Sequence, residues 1–150
     1  MKSRTFNLMR QALEEAKKAT CIGEVPVGAV LVINDQVIAR THNRCLIDCD
    51  PTAHAEILAI RQAAHYFQRY RLENCDLYVT LEPCAMCAQA IAHARIRRLI
   101  FGAYDPKGGG IEHGARVFGH PTCHHVPEII GGILEKECGD ILKAFFQGRR

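Results

Sequence analysis

Residues 77–87, Leu77-Tyr78-Val79-Thr80-Leu81-Glu82-Pro83-Cys84-Ala85-Met86-Cys87, change from one structural type to another within a few positions. Leu77 to Leu81 reads as a short buried strand. Pro83 then opens a helix running through Ala94, because proline has the right φ for a first helical position and lacks only a hydrogen that would be unpaired there. Two cysteines three apart fall on the same side of a helix turn, so Cys84 and Cys87 can aim both sulfurs at one ion.

A matching junction lies upstream. Asn43 to Pro51 is irregular, with Asp48, Asp50 and Pro51 marking a loop. Thr52 is read as the cap of a helix reaching about Phe67, with Ile57, Leu58, Ile60, Ala64 and Phe67 on its apolar side. His54 and Glu56 then sit in its first turn. His54 completes a His/Cys/Cys ligand set with Cys84 and Cys87. Zinc prefers four tetrahedral ligands, and three from the protein leave one position for water, which is the mark of a catalytic site.

Glu56 is the natural proton carrier beside such a metal, serving as general base and then as general acid. Residues two apart on a helix do not share a face, which separates His54 as ligand from Glu56 as catalyst. Each helix N-terminus carries roughly half a positive charge, and a thiol there has a lowered pKa. Cys84 and Cys87 are therefore expected to be thiolates from the outset. A lone Cys-x-x-Cys would suit a redox pair or half of a structural zinc ribbon, but a structural site calls for a fourth Cys or His.

Outward from these junctions, helical and extended patterns alternate. Phe6, Met9, Ala12, Leu13, Ala16 and Ala19 mark an amphipathic helix over residues 3–19. Gly23 breaks it, and Val25 to Ile33 is apolar on both faces, as in a central strand covered on both sides. Asn34-Asp35 makes a two-residue turn into a strand from Gln36 to Arg40. Arg97 to Ala103 reads as another strand. Asp105 to about His125 is rich in Gly and His without clear period, with Gly108-Gly109-Gly110 read as a flexible turn. Ile129 to Phe146 carries Ile130, Leu134, Cys138, Ile141 and Phe145 at helical spacing and is expected to close the domain as a helix. The alternation predicts an α/β three-layer sandwich: a mixed sheet of about five strands with helices on both faces.

At 150 residues the chain fits one compact domain spanning residues 1–150. A net charge of +3 suits an anionic partner but is too mild to identify one. Eight cysteines in a chain that is 48% hydrophobic do not match a small disulfide-stapled secreted domain. Met1 to Arg10 has no apolar signal core, and no run of about 18 apolar residues exists to span a bilayer. The expectation is a reducing cytoplasm, with no membrane partner.

His54-Ala55-Glu56, then 26 residues, then Pro83-Cys84-Ala85-Met86-Cys87 resembles the pattern of the cytidine deaminase-like zinc deaminases. Glu24 to Val32, Asn43-Arg44, Asp50 to Ile57, Leu77 to Cys84 and Phe101-Gly102-Ala103 narrow it. They resemble the bacterial tRNA-specific adenosine deaminases, over nearly the whole chain. The resemblance implies a zinc-dependent hydrolase with Zn2+ as cofactor. It implies hydrolytic conversion of adenosine to inosine at the wobble position of a tRNA anticodon, by a homodimer with no DNA partner. By similarity, Asn43 holds the flipped nucleoside, Val27 packs on the base, the Ala55 backbone reads its edge and Asp105 lies near the RNA backbone. Glu56 delivers protons to the ring nitrogen and to departing ammonia. Flipping a base costs a few kcal/mol, and an unpaired loop lowers that cost.

Cys45, Tyr104 and the Gly/His-rich stretch from Lys107 to His125 depart from the family's common pattern. They leave open a small-molecule deaminase acting on guanine, cytosine or a free nucleoside, since the same zinc apparatus serves all of these. A non-catalytic scaffold is disfavoured, because it has no use for a carboxylate beside an open metal position. Each of Arg95, Arg97, Arg98 and Arg149-Arg150 is open to two readings, an RNA-phosphate contact or part of a solvated face.

Overall fold

Both faces of the run from Ala29 to Val32 are apolar, and both are covered. The computed structural model of the chain describes residues 2–149. Its elements in chain order are helix α1 (Lys2–Cys21), strands β1 (Gly28–Ile33) and β2 (Gln36–His42), helix α2 (Ala55–Phe67), strand β3 (Cys75–Leu81), helix α3 (Ala85–Ala94), strand β4 (Arg98–Ala103), a 3₁₀ turn (Val117–Gly119), strand β5 (Glu128–Ile130) and helix α4 (Glu135–Gln147). Alternate strand residues point to opposite faces. Ala29, Leu31, Leu77, Val79, Leu99 and Phe101 join Ala55, Ala59 and Ala63 of α2 and Ala88 and Ile91 of α3 in one cluster. Val30, Val32, Tyr78 and Ile100 join Leu8, Met9, Ala12 and Leu13 of α1 and Cys138 of α4 in the other. This is the expected three-layer sandwich. The layers meet tightly at Gly28, where a Cβ would stand 1.9 Å from the Ala12 carbonyl oxygen.

The sheet order is β2-β1-β3-β4-β5. β1 is antiparallel to β2 and β3, whereas β3–β4 and β4–β5 are parallel. Asn34 and Asp35 form the β1–β2 turn with φ of 47° and 70°, the left-handed pair that a tight hairpin requires. The register pairs Gly28 with His42, Ala29 with Val79 and Leu81 with Ala103. The start of β1 and the ends of β2, β3 and β4 therefore share one edge of the sheet. That edge lies outside the carboxyl ends of the parallel strands, the usual place for a ligand in an open α/β sheet.

Four expectations are corrected. Val25 to Val27 precede β1 instead of forming it; Pro26 has no N–H to give a ladder. Thr52 does not cap α2, because both its N–H and its hydroxyl donate to Asp50 Oδ1, at 2.8 and 2.7 Å. Pro83 stands before the α3 cap, which is Cys84. The final helix begins at Glu135, not Ile129, and Glu128–Ile130 instead adds the fifth strand beside β4. Gly132 and Leu134, with φ of 83° and 54°, break the path between them. Ile130, Leu134, Cys138 and Ile141 nonetheless meet in one cluster, so their spacing reported a shared core and not one continuous helix. No helix among the described residues is long and apolar enough to cross a membrane.

Candidate active site

The two junctions converge at helix N-caps. His54 caps α2 with extended φ and ψ of −74° and 151°, and Cys84 caps α3 at −72° and 175°; neither side chain serves as a capping acceptor. An N-cap side chain usually accepts a first-turn N–H, worth about 1 kcal/mol. Here the freed side chains turn toward one another. Cys84 Sγ lies 3.6 Å and Cys87 Sγ 3.5 Å from His54 Nδ1, and the three ligand atoms all lie within 4.8 Å of each other. Zinc–nitrogen and zinc–sulfur distances of about 2.05 and 2.3 Å set a tetrahedral N···S edge of about 3.6 Å. The donor set and its spacing fit that ion.

Glu56, one residue into α2, is 4% exposed. Burial pushes its carboxyl up to about 7, partly offset by its own backbone N–H and by His54. The Cys84 interaction raises His54 against the opposing effect of burial. The thiols depart from expectation. Cys84 is driven down to about 4, first by hydrogen bonding from Cys87 and then, against burial, by His54. Cys87 is driven up, first by Cys84 and next by burial. Two adjacent sulfurs titrate as one pair, so the first proton leaves far more readily than the second.

Beside this corner opens a cavity of about 610 Å³, lined in part by Val27, Asn43, His54, Glu56, Cys84 and Asp105. Asn43 Oδ1 accepts the Ala55 N–H at 2.8 Å, which makes it the distant cap that Thr52 is not. Ala55 is fully buried, and its carbonyl accepts the Thr41 hydroxyl at 2.7 Å. Asp105 Oδ1 accepts the N–H groups of Lys107 and Gly108, at 3.2 and 2.9 Å.

Two further buried glutamates hold the cavity's loops. Glu24, 2% exposed, accepts the Leu46 N–H at 2.9 Å and the Ile47 N–H at 2.9 Å. Glu82 accepts Asp105 N–H on Oε1 at 3.0 Å, and on Oε2 the N–H groups of Ile111, Glu112 and His113 at 3.1, 2.9 and 3.2 Å. His113 Nδ1 lies 2.8 Å from Oε1. Burial pulls the Glu82 carboxyl upward, but these hydrogen bonds outweigh it and hold the group below the ordinary carboxylate value. Gly108-Gly109-Gly110 is thus no loose turn: a Cβ on Gly109 would meet Glu82 Oε2 at 2.4 Å, and one on Gly110 would meet Ala85 N at 2.6 Å. Neither glutamate stands out by spacing. A charge that follows an apolar strand reads as solvated until the loop over it is known.

The cavity also draws on α4 and its end, through Phe145 and Arg149. The Arg149 guanidinium lies 4.0 Å over the Phe145 ring. Arg150 lies outside the described residues. Arg97 forms a paired contact with Asp76, at 3.0 and 2.9 Å. Arg98 pairs with the same carboxylate at 3.3 Å. Arg97 directly precedes β4 and Arg98 opens it, and six residues at about 3.3 Å each separate that end from the site.

Residues 2–103 match the family described as the cytidine and deoxycytidylate deaminase zinc-binding region. The fold and site therefore define a member of this class of deaminases. Among individual proteins, the tRNA-specific adenosine deaminase of Agrobacterium fabrum is 54% identical over 144 residues, covering 96% of this chain and 95% of that protein. The enzymes of that name from Haemophilus influenzae and Bacillus subtilis are 51% and 47% identical, over 95% of this chain and 83% and 88% of theirs. The chain belongs to the tRNA-specific adenosine deaminase family. A structure from biochemical and structural studies of A-to-I editing by tRNA:A34 deaminases at the wobble position of transfer RNA superposes with a TM-score of 0.89 at 54% identity. It covers 91% of this chain and 99% of that one. Guanine deaminase from Nitrosomonas europaea shares the fold at 21% identity, with a TM-score of 0.80 over 93% of this chain and 83% of that one.

Proposed function

We propose that the chain is a zinc-dependent hydrolase that converts adenosine to inosine at the wobble position of a tRNA anticodon. It acts as a cytoplasmic homodimer, through a single deaminase domain over residues 1–150. The observation that carries this reading is a buried Glu56 beside three convergent soft ligands at a cavity large enough for a nucleoside. Near-full-length relatives described as tRNA-specific adenosine deaminases support the choice of substrate.

His54 Nδ1 and the sulfurs of Cys84 and Cys87 would hold the ion, and zinc bound there supplies the Lewis acidity that makes a water nucleophilic near neutral pH. Glu56 would take one proton from the attacking water and pass it to the adenine ring nitrogen, then take the second from the new C6 hydroxyl and pass it to the amino group as ammonia departs. Water enters and ammonia leaves, so the exchange balances. Val27 packs on the base. Asn43, with its oxygen committed to Ala55, offers its amide N–H groups to the nucleoside. The Ala55 backbone, held by Asn43 and Thr41, reads the base edge. Asp105 stands near the RNA backbone.

The test is inosine and ammonia release by the zinc-loaded protein on an anticodon stem-loop with adenosine at the wobble position, beside free guanine, cytosine, cytidine and adenosine. Turnover of the stem-loop is expected. Turnover of a free base or nucleoside alone would keep the metal chemistry and overturn the tRNA assignment. Sedimentation velocity checks the dimer.

A further inference from the structure

Glu82 is buried to 0% side-chain exposure directly before the Pro83-Cys84 turn. A buried carboxylate costs several kcal/mol unless hydrogen bonds replace its water. Glu82 meets that demand with backbone groups of one loop: the Asp105 N–H on one oxygen, and three successive N–H groups from Ile111 to His113 on the other. Successive N–H groups converging on one anion form a backbone nest. The His113 ring faces the first oxygen as well. With both oxygens engaged, the carboxylate is poorly suited to acid or base chemistry on a substrate. What it governs is the loop, whose Asp105 and Gly108 line the cavity. The loop approaches so closely that only glycine fits at position 109.

We infer that Glu82 is a positioning residue: by gripping the N–H groups of Asp105 and of Ile111 to His113, it sets where the 105–113 loop stands over the cavity. It therefore governs how tightly RNA is held and not how fast the bound adenosine reacts. This deepens the functional reading above and rests on it for the identity of the ligand. The two oxygens have separable tasks. In Glu82→Gln the remaining oxygen can keep the three N–H groups of Ile111 to His113, while the new amide opposes the Asp105 N–H donor to donor. Asp105 is then released and the rest of the loop stays.

The experiment uses zinc-loaded full-length protein and the wobble-adenosine stem-loop. For Glu82→Gln, zinc content is expected to stay at that of the unsubstituted chain. KM for the RNA rises about tenfold and kcat stays within about threefold, as for loss of one charge-assisted hydrogen bond used in binding. Amide exchange at residues 105–108 accelerates at least about tenfold while α3 is unchanged. Asp105→Ala weakens binding in the unsubstituted chain but adds less than about twofold in the Glu82→Gln background, because the two act as one unit. Additive effects, a fall in kcat at constant KM, or unaltered exchange of the loop would each overturn the inference. Should Glu82→Gln not fold, His113→Ala removes one donor only and is expected to raise KM by a smaller factor with the same exchange pattern; unchanged exchange there would also overturn it. If the unsubstituted chain turns over a free base and not the RNA, the substrate reading fails, and amide exchange still decides whether Glu82 positions the loop.

Discussion

The corner built from His54, Glu56, Cys84 and Cys87 and the wall built from residues 104–113 border one cavity, and each has its buried glutamate: Glu56 belongs to the corner, and Glu82 holds the wall from below. Burial is the largest influence on both carboxyls, yet they end on opposite sides of the ordinary value. Glu56 goes up to about 7, and Glu82 is held down. The difference lies in donors. Glu82 receives four backbone N–H groups and faces a histidine ring, whereas Glu56 sits among groups of mixed effect, with Cys84 raising it and His54 lowering it. One residue type is thus suited to carry a proton in one place, the role proposed above, and is held as an anion in the other, according to what surrounds it.

Substitutions can break this contrast, beginning with the corner. Cys87→Ala is expected to abolish zinc binding, bring turnover to background and lower Tm by at least about 5 °C, because ligand binding energy is also folding energy. Metal analysis and calorimetry read both. Retained zinc would mean that the corner does not depend on this sulfur.

Glu56→Ala comes next: turnover falls about 10²- to 10⁴-fold, the usual contribution of general acid–base catalysis, while zinc content is unchanged. If metal is lost with the carboxylate, Glu56 is a ligand and its distinction from Glu82 disappears. On the wall, Gly109→Ala drives a methyl group into the Glu82 carboxylate. The expected cost is about 1–3 kcal/mol of stability in urea unfolding, with zinc retained. A neutral result would show that the wall has slack.

The smallest effect is a reference outside both regions, on the opposite face of the sheet. Glu15 of α1 is buried, which raises its carboxyl, but hydrogen bonds from Lys18 and His42 and the charge of Arg40 outweigh this and leave it below the usual value. A group lowered in the folded state stabilises above its unfolded pKa, and that contribution is lost as pH falls through the folded pKa. The stability gap between the parent chain and Glu15→Gln should therefore shrink from about pH 7 to about pH 3. Equal gaps at the two pH values would remove Glu15 as an acid-sensitive anchor.

Much of the architecture was legible from hydrophobic period and turn chemistry: both faces of β1 and the amphipathic α1 from the first, the Asn34-Asp35 turn from the second. The strand at Glu128–Ile130 was not, because a three-residue edge strand carries too little pattern to compete with the helical spacing of Ile130, Leu134 and Cys138. Thr52 was credited with a cap that Asn43 provides from twelve residues before Ala55, since capping rules see only the adjacent chain.

The sequence by itself determined the candidate metal corner. Its ligands come in two short segments at fixed offsets from helix starts, so residue type and spacing carry the chemistry before any folding is known. Only the tertiary structure decided how the cavity is walled: that Glu82 grips a loop some thirty residues ahead, that Glu24 grips another, and that Phe145 and Arg149 reach the same opening. The physical reason is that backbone N–H groups are alike in every residue except proline, which has none. Which of them converge on a buried carboxylate is fixed by the path of the chain, and that path leaves no mark in residue identity beyond a glycine where nothing larger fits.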